Sequence, residues 1–162
     1  MSESEPSIED YFFLLTDALE ANEVDYFVVG GMAVNLHGLV RATEGIDLFV
    51  EPSPENIERL RSALRSVWDD PCIEEISSDD LCGDYPVVRY GPPRGRFMID
   101  LMTRVGETFG YSDLESQTLE IDSRRVRVAT PETLYKMKRN TVRPRERNDA
   151  LALGQKFQLG DD

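Results

Sequence analysis

Histidine, cysteine and basic charge are scarce in this sequence. Its 162 residues include one His and two Cys. Cys72 and Cys82 make neither a disulfide framework nor a zinc pattern, and His37 has no second His or Cys nearby to share a metal. Lys and Arg number 18 against 31 Asp and Glu, a net charge of −13, which argues against a nucleic-acid coat protein and against a polybasic membrane binder. Long apolar runs are missing too. The longest, Tyr26 to Val34, is broken by two glycines and falls far short of a bilayer span. The opening MSESEPSIED offers no basic or apolar part of a signal peptide. These absences read as a cytoplasmic chain with reduced thiols and no membrane association.

What is present is a globular composition, 40% hydrophobic and 30% charged, at the length of one domain. The charge is unevenly spread. Residues 1–123 hold 8 basic and 26 acidic groups, whereas residues 124–147 hold nine basic groups against Glu132 and Glu146, a local net of +7. A charge run is usually a solvated helix face. Behind an acidic body, this one also marks a local anion site, and a phosphate-bearing ligand is its natural occupant.

The pattern alternates helix and strand. Ser7 caps a helix with Ile8, Tyr11, Phe12, Leu15, Ala18 and Leu19 on its apolar stripe. Tyr26–Gly30 reads as a buried strand, followed by a small-residue helix from Met32 to His37 that Gly38 closes. Ile46–Val50 is a second strand, and Ser53-Pro54 opens an amphipathic helix that ends near Trp68. Further strands are expected near 73–77, 86–90 and 96–102, and residues 117–122 and 124–129 flank Ser123 as a hairpin. Thr130-Pro131-Glu132 starts another helix, a last one is expected from Asp149 to Phe157, and 78–85 and 103–112 read as loops. The expected fold is α/β in the α+β sense: one domain over 1–162, with a mixed-sheet core at about 24–129 and a short helical segment at about 130–159.

Chemistry gathers at strand ends. Gly30-Gly31 sits between a strand and a helix, where glycine lets backbone approach a ligand. Asp47, between Ile46 and Leu48, points away from the apolar side of its strand. Asp100 is a carboxylate inside the apolar stretch Met98-Ile99-Asp100-Leu101-Met102. Singly, each Asp is most simply a cap or an arginine partner. Paired beside a glycine turn, they point to Mg²⁺ held near substrate phosphates.

Val29-Gly30-Gly31-Met32-Ala33-Val34, His37-Gly38 and Arg41-Ala42-Thr43-Glu44-Gly45-Ile46-Asp47-Leu48 together resemble the first motif of the polymerase-β-like nucleotidyltransferases. The Gly-Gly-x-Ala, His-Gly and Arg-x-Thr features are similar to those of the AbiEii-type and MenT-type toxin transferases, and of small aminoglycoside and lincosamide nucleotidyltransferases. The resemblance spans about 26–153. It implies a nucleotidyltransferase-type mixed sheet flanked by helices, and transfer of a nucleoside monophosphate from an NTP to an acceptor hydroxyl. It implies metal ligands at Asp47 and Asp100, and nucleotide contacts from Gly30, Gly31, Arg41, Thr43 and Arg143. Lys138 would neutralise the triphosphate, and Asp149 would orient Lys138 or assist the acceptor. The acceptor implied by the toxin branch and by the basic segment is an RNA end, with tRNA favoured, and a cognate antitoxin is the implied protein partner.

One position departs from the pattern. The family's first aspartate of Asp-x-Asp falls at 45, which is Gly45 here. Residues 45 and 47 share a face of a strand, whereas Glu44 points to the other face and replaces the ligand only through a bulge. The expectation is a weakened or lost activity. Two alternatives stay open: an antibiotic acceptor, a polycation suited to the acidic body, and a catalytically dead binding or antitoxin-like partner.

Overall fold

The computed structural model describes residues 7–39, 43–83, 86–93, 96–105, 109–138, 153 and 155–158, apart from the side chains of Val105, Phe109 and Lys138. Helix α1 (Ile8–Ala21) starts at a reciprocal cap: Asp10 N–H donates to Ser7 Oγ at 3.2 Å, and Ser7 N–H donates to Asp10 Oδ2 at 3.1 Å. Strand β1 (Tyr26–Val29) runs directly into α2 (Gly30–Leu36), and β2 (Gly45–Val50) is followed by α3 (Pro54–Val67). Ser53 caps α3 with Pro54 in its first turn. Then come α4 (Ser78–Leu81), β3 (Val87–Tyr90), β4 (Met98–Met102), the short β5 (Arg104–Val105) and β6 (Phe109–Gly110), β7 (Ser116–Ile121), β8 (Arg124–Ala129) and α5 (Pro131–Lys138).

Six strands form one mixed sheet in the order β3-β4-β2-β1-β8-β7, and β5 and β6 form a separate pair. Neighbours β1–β2, β3–β4 and β7–β8 are antiparallel, whereas β2–β4 and β1–β8 are parallel. The fold class expected from the sequence is therefore found. The register divides the sheet into two faces. Tyr26, Val28, Ile46, Leu48, Ile99 and Leu101 are buried on one, where α1 and α3 supply Leu15, Leu19, Leu60 and Leu64. Trp68 ends α3 in this layer, stacked on Tyr11 with centroids 5.9 Å apart and edge-on to Tyr90 at 6.2 Å. Phe27 and Phe49 lie on the opposite face, parallel to each other and covered by Tyr111.

Three local expectations are corrected. Residues 73–77 are not a strand: Pro71–Glu75 is a 3-10 turn. Asp70 accepts from Cys72 N–H to start it, and Ile73 and Ile76, three apart, both face the core. The segment 78–85 contains α4, and 103–112 contains β5, β6 and a 3-10 turn at Tyr111–Asp113. The β7–β8 hairpin turns at Asp122 and Ser123, both left-handed with φ of 50° and 67°, which gives the twist that an antiparallel pair needs. Of the last expected helix, Leu153 and residues 155–157 are helical, and the remainder lies outside the described residues.

Candidate active site

Register, more than sequence spacing, assembles the site. In the parallel β2–β4 pair Asp47 is the direct partner of Asp100. Across β3–β4 Asp100 faces Arg89, and across β1–β2 Asp47 faces Val29. Arg89, Asp100, Asp47 and Val29 thus form one row across four strands on one face, and the row ends where β1 turns into α2 at Gly30. Partners in such a row stand roughly 5 Å apart. Asp47 and Asp100 are both half-buried.

Gly30 has a φ of +72°, a left-handed conformation that costs other residues roughly 1–2 kcal/mol. A side-chain carbon there would fall on Asp47 Oδ2 and 2.9 Å from its Cγ. The glycine therefore both makes the strand-to-helix turn and leaves space for the Asp47 carboxylate. Gly31 follows within the first turn of α2, and Thr43 is half-buried two residues before β2. Arg41, Arg143 and Asp149 lie outside the described residues, as does the side chain of Lys138, the last residue of α5.

Arg89 was not legible as a site residue. Its Nε donates to Asp100 Oδ1 at 2.9 Å. The bond to Asp100 and that carboxylate's charge hold the guanidinium's pKa above its ordinary value, and the Asp47 charge adds to this. The available signal was parity. In Val88-Arg89-Tyr90 the charge points away from the apolar neighbours, but only strand pairing names its partner.

Gly45 also has a local reason. It pairs with Met98 at the start of the β2–β4 ladder, and a side-chain carbon would lie 2.7 Å from the Met98 carbonyl oxygen. Close approach of β4 thus gives glycine a local advantage at this strand position. Among the described residues no group of three or more His, Cys, Asp and Glu is gathered as a metal site. Two half-buried carboxylates side by side are nevertheless a hard-oxygen donor set. They suit Mg²⁺ when substrate phosphate oxygens complete its shell.

Two other features have structural employment. His37 Nε2–H donates to the Ala129 carbonyl at 2.8 Å, the tautomer following from an acceptor-only partner, and Phe157 packs edge-on against the ring. Lys156 Nζ donates to His37 O at 2.7 Å, so the described C-terminal residues are fastened to the end of α2. In the basic segment, Arg124 pairs with Asp17 at 3.2 Å, and Arg127 lies 3.6 Å from both Glu20 and Asp25. Part of the +7 charge is thus spent on α1 and the end of β1's approach.

The family described as "Nucleotidyl transferase AbiEii toxin, Type IV TA system" matches residues 14–149. The chain belongs to the AbiEii family. Its fold is shared with solved nucleotidyltransferases. A crystal structure of ANT(2")-Ia in complex with adenylyl-2"-tobramycin is similar, with a TM-score of 0.57 at 13% identity, covering 91% of this chain and 87% of that one. An antigenic nucleotidyltransferase-like protein from Paracoccidioides brasiliensis is similar with a TM-score of 0.51 at 17% identity, covering 88% of this chain and 73% of that one. No curated protein matches this chain. Among its described residues no helix is long and apolar enough to cross a membrane.

Proposed function

We propose that this AbiEii-family chain binds an NTP with Mg²⁺ beside Gly30-Gly31 and moves the nucleoside monophosphate to an acceptor hydroxyl on an RNA end, tRNA above all. It does so as a cytoplasmic toxin paired with an antitoxin, with turnover weakened by Gly45. The observation that carries the reading is the in-register pairing of Asp47 with Asp100 next to the Gly30 turn.

Bound Mg²⁺ would neutralise charge on the triphosphate and fix its alignment. The chain's own part is mostly positioning. Asp47 and Asp100 would hold the ion from one row of the sheet, and the bare backbone at Gly30-Gly31 would admit the phosphates. Arg41, Thr43, Lys138 and Arg143 are assigned to the nucleotide, and Asp149 to the orientation of Lys138. The acceptor oxygen attacks the α-phosphorus, its proton is lost to solvent or a nearby carboxylate, and pyrophosphate leaves. With Gly45 the site has two carboxylates where the family pattern has three, hence the weak turnover.

The RNA assignment rests on the basic segment. Because Arg124 and Arg127 face Asp17, Glu20 and Asp25, it falls to Arg125, Lys136, Lys138, Arg139, Arg143, Arg145 and Arg147. A second reading, an antibiotic acceptor, is favoured by the net charge of −13 and by the likeness to ANT(2")-Ia. The test is transfer of label from NTPs to a tRNA pool and to tobramycin, with and without Mg²⁺, by the wild type, Asp47→Asn and Gly45→Asp. Mg²⁺-dependent labelling that Asp47→Asn loses supports the proposal, and the labelled acceptor chooses between RNA and antibiotic. Labelling by no folded version turns the assignment to a catalytically dead binding partner.

A further inference from the structure

The functional reading above leaves Arg89 without a role. We infer that Arg89 is a positioning residue of the carboxylate pair: it fixes Asp100 and sets the local charge for one divalent cation instead of two. The inference rests on the proposed nucleotide site.

Three observations carry it. Arg89 lies in the same cross-strand row as Asp100 and Asp47, so its place is set by the ladder and not by a loop. Its Nε, close to the stem, makes the 2.9 Å bond to Asp100 Oδ1, which fixes the carboxylate more tightly than a contact from the outer end of the side chain would. Its side chain is 66% exposed against 24% for Asp100, so the arginine comes to the carboxylate from the solvent side without being buried for packing.

The charge count then decides the number of ions. Asp47 and Asp100 contribute −2, Arg89 returns +1, and Gly45 adds nothing where a third carboxylate would. A row with net charge −1 accepts one divalent ion together with an anionic triphosphate. A second divalent ion at this row meets the guanidinium's repulsion with no third carboxylate at 45 to offset it. Lysine at 89 would keep the charge but lacks the planar Nε donor.

The test uses Mn²⁺ as the probe, read by electron paramagnetic resonance on the full chain, alone and with a non-hydrolysable NTP analogue. The wild type is expected to bind one Mn²⁺ per chain. Arg89→Ala should bind Mn²⁺ alone about three- to tenfold more tightly, because a like charge a few ångströms away is gone. Arg89→Lys should match the wild type in that measurement. With the analogue present, the Mn²⁺ line shape should change in both variants, since neither keeps the Nε bond to Asp100. Equal or weaker Mn²⁺ affinity in Arg89→Ala overturns the inference, and so does a line shape unchanged in both variants. A wild type that binds no Mn²⁺ even with the analogue overturns the nucleotide site itself, and the inference falls with it. Circular dichroism of the variants separates these results from loss of fold.

Discussion

The carboxylate of Asp47 occupies the space that a side chain on Gly30 would need. Turn and acid are thus one unit, and the strand-to-helix turn cannot accept a side chain without displacing a candidate metal ligand. Gly30→Ala should therefore lose about 1–3 kcal/mol of stability from the left-handed backbone and the collision, and lose Mg²⁺-dependent NTP binding as well. Urea melts and nucleotide titration measure the two effects. Because the collision is with one side chain, the double variant with Asp47→Ala should cost less than the sum of the singles. Strict additivity would mean that Asp47 does not lie against Gly30.

Asn56 is expected to be a keystone of the strand that carries Asp47. It is fully buried at the start of α3. Its Oδ1 accepts from Asp25 N–H at 2.8 Å, and its Nδ2 donates to the carbonyls of Asp25 and Glu51, both at 2.9 Å. One amide thereby ties the entry of β1 to the exit of β2. Asn56→Ala strands these backbone groups in the interior and should cost about 3 kcal/mol. The midpoint of urea unfolding should fall accordingly. A loss below about 1 kcal/mol would show that water or a shifted loop satisfies them.

A third expectation concerns alkaline pH. Burial, above all, raises the pKa of Tyr26, Tyr90 and Tyr111. Tyr26 OH also accepts from Arg127 N–H at 3.3 Å, and Tyr90 OH donates to Asp70 Oδ2 at 2.7 Å. Each group ionises more readily unfolded, near pH 10, than folded. The stability tied to the neutral phenols is thus complete below about pH 10 and declines as pH rises beyond it. Unfolding midpoints should hold level up to that point and then drop, with a shallower drop in Tyr26→Phe. Identical pH profiles for that variant and the wild type would remove Tyr26 from the account.

Much of this is legible in the amino-acid sequence, and the limits have physical causes. Ser7, Ser53-Pro54 and Gly38 marked helix ends because caps and left-handed residues are local devices. Asp47 and Asp100 stood out because a carboxylate amid apolar strand residues needs a reason. Their register and the reason for Gly45 depend on strands paired across about 50 residues, which leaves no trace in local spacing, and even Arg89, 11 residues from Asp100, finds its partner only through strand pairing. The 3-10 turn at Pro71–Glu75 was missed because a short apolar stretch reads alike as strand or tight helix. Part of the charge argument shifted for the same reason: Arg124 and Arg127 look free in the sequence, and Asp17, Glu20 and Asp25 reach them only in the fold.

The last prediction takes Gly45, where stability and chemistry pull in opposite directions. Any side chain there starts 2.7 Å from the Met98 carbonyl oxygen, and a backbone atom in a paired strand yields less easily than a flexible side chain. Gly45→Ala should therefore lose about 1–3 kcal/mol by overpacking alone. Gly45→Asp bears the same collision and adds a negative charge to the face of Asp47 and Asp100, so without metal it should be the less stable of the two. With Mg²⁺ and NTP the order should reverse, because the new carboxylate lies on the strand face where a third ligand belongs. Thermal melts of both variants with and without Mg²⁺ and a non-hydrolysable NTP analogue measure this directly, and label transfer shows whether turnover rises with the gain in binding. A ligand-induced stabilisation no greater in Gly45→Asp than in Gly45→Ala would mean that position 45 does not reach the site. Gly45 would then be explained by the close approach of β4, and weakened catalysis would need another cause.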